Sequence, residues 1–258
     1  MKRFVLWLFL LFWLFGCSRS EDAAKDSTKR LCFLRHSETI ADVSHDFRNG
    51  FPDIFTKNGI TQSEETSKLI SDGDFELLLT GPNNRSRSTL YPYLFDSRAK
   101  ATIWPELAEC CFKERSPLPG ETTPIRIGSR IYLDPGMDRF FTFRSEEARN
   151  SVFPVGREGE QTLVELAAEL LRETFFRANG SVLVIVPPNL GSYLVETLLG
   201  LERGNRLMFK PLALTCFTEG PTRTLELTTV NGQPCTRGGA CLTQPSSETV
   251  DQTANNEE

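Results

Sequence analysis

Histidine is scarce in this chain: its 258 residues include only His36 and His45. Structural zinc sites draw on clusters of histidine and cysteine. The chain has seven cysteines, but no two of them form a Cys-x-x-Cys motif. We therefore predict that the protein has no structural metal, and the sequence indicates no cofactor.

An excess of basic residues is also lacking. Lysine and arginine number 29 against 34 aspartates and glutamates, which gives a net charge of −5. Four of these negative charges come from the C-terminal residues Glu248, Asp251, Glu257 and Glu258. The middle of the chain is therefore nearly neutral, which argues against a nucleic-acid partner. We interpret residues 233–258 as a flexible acidic tail.

No apolar run is long enough for a comfortable transmembrane helix. The longest covers residues 4–16, after the basic start Lys2-Arg3, and ends abruptly at Cys17. Residues 1–16 read as an export signal, and the residues before Cys17 resemble the bacterial lipobox. We predict lipidation at Cys17, a polar tether over 17–29, and an extracytoplasmic protein anchored to the membrane by its N-terminal lipid. A secreted protein with an ordinary signal, or an uncleaved anchor, are the alternatives.

Cysteine usage agrees with export. The best disulfide candidate is Cys235 with Cys241, because the intervening Thr-Arg-Gly-Gly-Ala can turn tightly. Two free thiols are the alternative.

Apolar runs and helical periodicity alternate along the chain, which predicts an α/β fold. Val182 to Val186 is an uninterrupted apolar strand, typical of a sheet that is covered on both faces. The predicted strands are 31–34, 76–80, 101–104 and 182–186, followed by an antiparallel pair, 212–217 and 224–229. The predicted helices are 61–70, 84–90 (ending before Pro92), 160–175 and 191–200. We expect a single three-layer α/β/α domain with a mostly parallel central sheet over residues 30–232.

Arg35 and His36 come directly after the first predicted strand. The ends of parallel strands are where α/β sheets usually bind ligands. Several segments then resemble motifs of the histidine phosphatase superfamily, which has the phosphoglycerate-mutase-like fold. They are, in order, Arg35-His36-Ser37-Glu38-Thr39, the segment 55–62 (FTKNGITQ), the segment 80–89 (TGPNNRSRST), Leu107-Ala108-Glu109 and Gly159-Glu160.

The resemblance implies a phosphatase that acts on a small phosphorylated substrate. His36 would attack the phosphorus and form a phosphohistidine. Arg35 and Arg85 would hold the phosphoryl oxygens. Glu109 would protonate the departing alcohol and then activate water. Ser37, Thr39, Asp42 and Asn189 are the candidate substrate-binding residues.

One departure from the family pattern bears directly on catalysis. The family has a second histidine after the fourth strand, and here Pro187 stands in its place, without a side-chain donor or an N–H. Asp42, where the family often has asparagine, would repel phosphate, and Ser37 replaces a glycine. Asn189 or His45 are conceivable substitutes for the missing donor.

Two function classes follow. The first is an exported phosphomonoesterase, and the second is a catalytically impaired pseudophosphatase that binds phosphate-bearing ligands or serves as a scaffold.

The segment 111–157 corresponds in position to a region of the family that resembles a lid over the site. It carries the basic residues Lys113, Arg115, Arg126 and Arg130. These charges would recruit anionic substrates or only solvate a loop.

Overall fold

A computed structural model of the chain describes residues 28–47, 53–110, 131–150 and 157–235. Several sequence predictions lie outside these residues: the export signal 1–16, Cys17, most of the tether 17–29, most of the acidic tail 233–258, and the four basic residues of the lid segment. The described residues contain no helix with the length and apolar character that crossing a membrane requires.

An eight-stranded sheet forms the centre of the molecule, in the order β4-β3-β2-β5-β1-β6-β7-β8. The five strands from β4 to β1 run parallel, and β6, β7 and β8 are antiparallel. The strands are β1 (Arg30–Arg35), β2 (Phe75–Thr80), β3 (Ala101–Ile103), β4 (Phe141–Phe143), β5 (Ser181–Val186), β6 (Thr215–Glu219), β7 (Leu225–Val230) and β8 (Gln233–Pro234).

Helices cover both faces of the sheet. They are α1 (Ile40–Ser44), α2 (Lys57–Gly73), α3 (Asn84–Ser97), α4 (Glu146–Asn150), α5 (Arg157–Arg177) and α6 (Pro188–Leu198). One apolar cluster joins α5 and α6 to one face, and a second joins α2 and α3 to the other. Successive residues of β1 alternate between them, since Leu31 and Phe33 belong to the first cluster and Cys32 and Leu34 to the second. The predicted three-layer α/β fold with a mostly parallel sheet is confirmed.

Helix boundaries differ most where local signals compete with packing. The structure continues α3 through Pro92 to Ser97, so the predicted end before Pro92 is wrong. Leu90 and Leu94 on either side of Pro92 are fully buried, and their packing offsets the hydrogen bond that a proline removes. α2 begins at Lys57, four residues earlier than predicted, because the Thr56 hydroxyl caps it by accepting from the N–H of Gly59 at 2.9 Å.

The C-terminal elements are shifted, and some short ones were missed. β6 begins at Thr215 rather than at 212, since Leu212 has a φ of 57° that a strand does not allow. α6 begins at Pro188, a residue well suited to the first helical position. Local patterning carries no signal for α1, β4, α4 or β8, each of which has five residues or fewer.

A disulfide that was not predicted joins Cys32 to Cys216. The two residues lie directly opposite each other on the antiparallel strands β1 and β6, and both are buried. Cys110 and Cys235 are also disulfide-bonded. The predicted partner of Cys235, Cys241, lies outside the described residues, so that pairing stays a prediction.

Candidate active site

The predicted catalytic residues lie at one edge of the sheet, because the five parallel strands end on the same side. His36 follows β1, and Arg85 is in the first turn of α3 after β2. Glu109 follows β3 after a short 3₁₀ turn. The ends of the parallel strands therefore bring together residues that are far apart in the sequence.

His36 is buried, with 2% of its surface exposed. Its Nδ1 lies 2.8 Å from the main-chain carbonyl oxygen of Ser37. A carbonyl only accepts, so Nδ1 carries the proton and Nε2 keeps its lone pair. Burial and the nearby charges of Arg85 and Arg35 lower the pKa of His36 to about 3, although the Ser37 carbonyl and Asp42 act in the opposite direction. The imidazole is therefore neutral at physiological pH, the form that a nucleophile requires.

Arg35, at the end of β1, forms an ion pair with the carboxylate of Asp42. Its Nη2 lies 2.5 Å from Oδ1 of Asp42. The other Asp42 oxygen, Oδ2, accepts from the N–H of Thr39 at 2.7 Å and from its hydroxyl at 2.8 Å. Thr39 and Asp42 thereby form the capping box that begins α1. The sequence analysis instead predicted that Arg35 and Thr39 bind the substrate.

Asp42 remains ionised at neutral pH. Burial acts to raise the pKa of this carboxyl group. The attraction of His36 and Arg35, together with the hydrogen bonds from Thr39, outweighs burial and lowers the pKa below its ordinary value. A negative charge is therefore held between the donors of Arg35 and Thr39.

Arg85 is held by two carboxylates. Its Nη2 donates to Oε2 of Glu109 at 3.0 Å, and its Nη1 donates to Oδ1 of Asp53 at 3.2 Å. The main-chain N–H of Arg85 also donates to Asp53 Oδ1 at 3.1 Å. The side chains of Arg85 and Glu109 are each 7% exposed, which leaves the pair well shielded from water.

Glu109 has the pKa shift expected of a proton donor. Burial raises the pKa of its carboxyl group, and Asp42 adds to this, while the charge and hydrogen bond of Arg85 act against it. Its main-chain N–H donates to Oδ1 of Asn83 at 3.1 Å, which fixes the segment beside α3. Its Oε1 is buried and has no hydrogen-bond partner in the described part of the chain. Glu109 therefore holds a proton more readily than an ordinary glutamate, as a group that passes a proton on must do.

The segment 55–62, which resembles a family motif, supports the loop after His36. The N–H of Glu38 donates to Oε1 of Gln62 at 2.8 Å, and the Glu38 carboxylate accepts from the Thr56 hydroxyl at 2.5 Å and from the Asn58 amide at 3.2 Å. A Cβ at Gly59 would lie 1.9 Å from the carbonyl oxygen of Glu38. The motif therefore has a structural role, since only glycine allows α2 to approach the nucleophile loop this closely.

Ser37 connects the nucleophile loop to α3. Its N–H donates to the Thr89 hydroxyl at 2.9 Å, and that hydroxyl donates to the carbonyl of Arg85 at 2.8 Å. The Ser37 hydroxyl itself is buried and has no hydrogen-bond partner among the residues described. Thr89 is the last residue of the segment 80–89 that resembles a family motif, and its hydroxyl links the nucleophile loop to α3.

Pro187 lies beside the nucleophile. Arg35 pairs with Val186 in the parallel register of β1 and β5, and the N–H of His36 donates to the carbonyl of Val186 at 3.2 Å. Pro187, the next residue, is buried and precedes α6 without a side-chain cap. The end of β5 thus reaches the site with a residue that cannot donate a hydrogen bond.

Neither Asn189 nor His45, the two suggested substitutes for the missing donor, forms a side-chain hydrogen bond to His36 among the described residues. The Asn189 Oδ1 accepts from the Asn205 amide at 3.2 Å, which turns this side chain toward the loop after α6. His45 is exposed and forms the left-handed C-cap of α1. In the described part of the chain, Asn189 therefore shares no hydrogen bond with the other predicted substrate-binding residues, Ser37, Thr39 and Asp42.

A buried glutamate that the sequence analysis missed holds the loop that follows α6. Glu196 on α6 accepts from the N–H groups of Gly204 at 2.7 Å, Asn205 at 3.1 Å and Arg206 at 2.8 Å. The loop held in this way carries Phe209, whose carbonyl lies 3.5 Å from Nη1 of Arg35. The available signal was an acidic residue within the apolar helix 191–200, which requires buried partners.

Asp53 was also missed, for a different reason. It lies 32 residues from its partner Arg85, in a loop without periodicity or a motif. No local signal indicates such a contact. Within the described residues, no group of three or more histidine, cysteine, aspartate or glutamate side chains is arranged to hold a metal ion.

Part of the chain resembles a known protein family. Residues 31–126 match the sequence model of the Histidine phosphatase superfamily (branch 1). This segment includes Arg35, His36, Arg85 and Glu109. No curated protein matches the chain.

Several solved structures share the fold. The alpha-ribazole phosphatase from Shigella flexneri superposes with a TM-score of 0.54 at 19% identity, over 80% of this chain and 98% of that one. A phosphoserine phosphatase mutant from Entamoeba histolytica, in complex with phosphoserine, gives 0.55 at 17% identity, over 79% and 96%. The mycobacterial glucosyl-3-phosphoglycerate phosphatase in complex with VO3 gives 0.53 at 15% identity, over 80% and 100%. The chain thus has a histidine-phosphatase-like fold, and its segment 31–126 matches the branch 1 sequence model.

Proposed function

We propose that the protein is a phosphomonoesterase that transfers the phosphoryl group of its substrate to His36 and then to water. The observation that carries this proposal is the buried, neutral imidazole of His36, with its Nδ1 proton fixed on the Ser37 carbonyl and its Nε2 unprotonated. Arg85 and Arg35 act on it electrostatically, and Glu109, a carboxyl group with a raised pKa, is bound to Arg85. This set supplies a nucleophile, charge stabilisation and an acid in one place.

The reaction has two steps. In the first, Nε2 of His36 forms a bond to phosphorus while the bond from phosphorus to the alcohol oxygen breaks, and Glu109 gives its proton to that oxygen. In the second, Glu109 takes a proton from water, the water oxygen attacks phosphorus, and the bond to His36 breaks to release inorganic phosphate. Arg35 and Arg85 stabilise the charge on the phosphoryl oxygens in both steps.

The substrate class is a small phosphorylated alcohol. Structural relatives at low identity include a phosphoserine phosphatase in complex with phosphoserine and a glucosyl-3-phosphoglycerate phosphatase. These relatives support the class of substrate but do not identify its alcohol. Unmet hydrogen-bonding capacity at the site supports a ligand there, since Arg35 Nε, the Ser37 hydroxyl and Glu109 Oε1 are buried without partners in the described part of the chain.

Export and a lipid anchor at Cys17 remain part of the proposal. Disulfide bonding of Cys32, Cys216, Cys110 and Cys235 supports an oxidising compartment, because such bonds are rare in reducing cytosol. A Cys17→Ser variant tests the anchor. We expect it to leave the membrane fraction or to remain unprocessed, and maturation and fractionation like the parent would show that Cys17 is not lipidated.

A pseudophosphatase that binds phosphate-bearing ligands is the second candidate. Two observations favour it. Asp42 occupies the Arg35 guanidinium with a full negative charge, and Pro187 stands where we expect the second histidine of the family. Loss of one donor to the transition state typically lowers the rate by about 10²–10³. The two candidates therefore share the pocket and differ in turnover.

Hydrolysis of an aryl phosphate by the parent, His36→Ala and Pro187→His separates these candidates. Parent activity that disappears in His36→Ala indicates a working phosphatase. Activity that appears only after Pro187→His, alone or with Pro188→Gly, indicates a disabled one. Activity that survives in His36→Ala would contradict the mechanism for both.

A further inference from the structure

Three buried polar atoms at the site lack partners in the described residues. One of them is a hydroxyl at a position where the family motif has glycine. Arg35 Nε and Glu109 Oε1 belong to groups already given a role. The third is the hydroxyl of Ser37, a residue that is 3% exposed. A hydroxyl that is removed from water without a partner is unfavourable, so its retention calls for an explanation.

The main chain of Ser37 is fully used. Its carbonyl accepts from His36 Nδ1 at 2.8 Å, and its N–H donates to the Thr89 hydroxyl at 2.9 Å. Ser37 is therefore fixed between the nucleophile and the turn of α3 that carries Arg85. These bonds fix the main chain of Ser37 next to His36 and do not use its hydroxyl, which is buried without a partner in the described residues.

Both guanidiniums of the site already bind carboxylates. Arg35 Nη2 is bound to Asp42, and the Arg85 guanidinium is bound to Asp53 and Glu109. Pro187, beside His36 at the end of β5, contributes neither a side-chain donor nor an N–H. Among the buried side-chain donors next to His36, the Ser37 hydroxyl and Arg35 Nε are without a partner in the described residues.

We infer that the Ser37 hydroxyl donates a hydrogen bond to the transferring phosphoryl group and so supplies a donor that Pro187 cannot. The inference rests on the proposed function and adds a catalytic residue to it. Because the bond forms to charge that develops during transfer, its loss lowers kcat and leaves KM nearly unchanged.

Ser37→Ala is the direct test, with Ser86→Ala as its matched control. Ser86, one residue after Arg85, also has a fully buried hydroxyl without a partner among the described residues. With an aryl phosphate, we expect Ser37→Ala to lower kcat by about 10²–10³ and Ser86→Ala to leave it unchanged. The melting temperature of Ser37→Ala without ligand should equal or exceed that of the parent, because a buried unpaired hydroxyl is removed.

Two further measurements test whether Ser37 donates to the phosphoryl group. Vanadate, which adopts the five-coordinate geometry of the transition state, should bind Ser37→Ala at least about tenfold more weakly than Ser86→Ala, as read from the dependence of melting temperature on its concentration. In a Pro187→His background, Ser37→Ala should cost less than about tenfold in kcat, because the histidine supplies a second donor.

The outcomes separate this inference from the proposed function. A Ser37→Ala protein with the kcat and vanadate affinity of the Ser86→Ala control would overturn the role of Ser37 and leave the phosphatase proposal standing. A parent that neither binds vanadate nor hydrolyses the aryl phosphate would overturn the proposed function, and the inference with it.

Discussion

Asp42 and Glu109 are two carboxyl groups of one site whose pKa values move in opposite directions. The pKa of Asp42 is lowered, with His36, Arg35 and Thr39 among the causes, and the pKa of Glu109 is raised by burial. Such a difference separates an electrostatic role from a proton-transfer role. Asp42 is therefore a fixed negative charge beside Arg35. In the proposed mechanism a phosphate has to displace this carboxylate from the guanidinium, while Glu109 acts as the acid.

The fixed charge predicts that Asp42→Asn binds phosphate more tightly. The amide can still accept from Thr39 but no longer neutralises Arg35, so we expect at least a tenfold gain in affinity, about 1.4 kcal/mol. The measurement is the phosphate dependence of the melting temperature. Asp72→Asn makes the same charge change on the exposed surface of α2 and should have no effect. Equal affinity in the two variants would show that Asp42 does not compete with phosphate.

The lowered pKa of His36 predicts a pH-dependent loss of stability. In the unfolded chain the imidazole takes up a proton below about 6.5, but in the folded protein it does so only near its pKa of about 3. Stability should therefore fall by about 1.4 kcal/mol for each pH unit between these values. Because His36→Asn lacks this imidazole, its stability relative to the parent should rise as the pH is lowered from 7 to 4.5.

Urea unfolding across this pH range measures the effect. His45→Asn is the matched control, since His45 is the other histidine and lies exposed at the end of α1. If the stabilities of His36→Asn and His45→Asn both change with pH as that of the parent does, the interpretation of His36 as a buried neutral imidazole is wrong.

At the scale of elements, the nucleophile loop depends on its contact with α2. The Glu38 carbonyl passes so close to Gly59 that a Cβ there would lie 1.9 Å from it. We expect Gly59→Ala to destabilise the protein by about 1–3 kcal/mol, because the loop or the helix has to move. The same movement should weaken phosphate binding, since Ser37 and Thr39 belong to the displaced loop.

Thermal unfolding with and without phosphate tests this coupling. Glu65→Ala, on the exposed face of the same helix, introduces an alanine without a close contact and serves as control. A Gly59→Ala protein that loses stability but keeps the phosphate response of Glu65→Ala would show that the contact supports only the fold.

Some of these elements could be predicted from the sequence and others could not. The apolar run after Lys29 was sufficient to predict β1 and the position of His36 at its end. The convergence of Arg85 and Glu109 on His36 came only from resemblance, because their contacts span many residues. The path of α3 through Pro92 depends on burial of Leu90 and Leu94, which local propensity does not contain. Asp53 was beyond prediction, since its role exists only after the sheet has formed.

At the scale of the whole molecule, the Cys32–Cys216 disulfide joins the first strand to the antiparallel half of the sheet. It links residues 184 positions apart, so it restricts the unfolded chain strongly. The chain-entropy relation gives a stabilisation of about 5 kcal/mol for a loop of this length. We expect the double variant Cys32→Ala with Cys216→Ala to lose several kcal/mol in urea unfolding under non-reducing conditions. An unchanged unfolding midpoint would contradict this contribution.

In the proposed mechanism, the working protein carries a phosphoryl group on His36 during turnover, and this intermediate can be observed directly. Rapid quenching of the parent with an aryl phosphate at neutral pH, followed by mass spectrometry of the peptides, measures this intermediate. The mechanism predicts an acid-labile phosphoryl group on the peptide that contains His36, absent from His36→Ala. Hydrolysis without this modification, or a phosphoryl group on another residue, would contradict it.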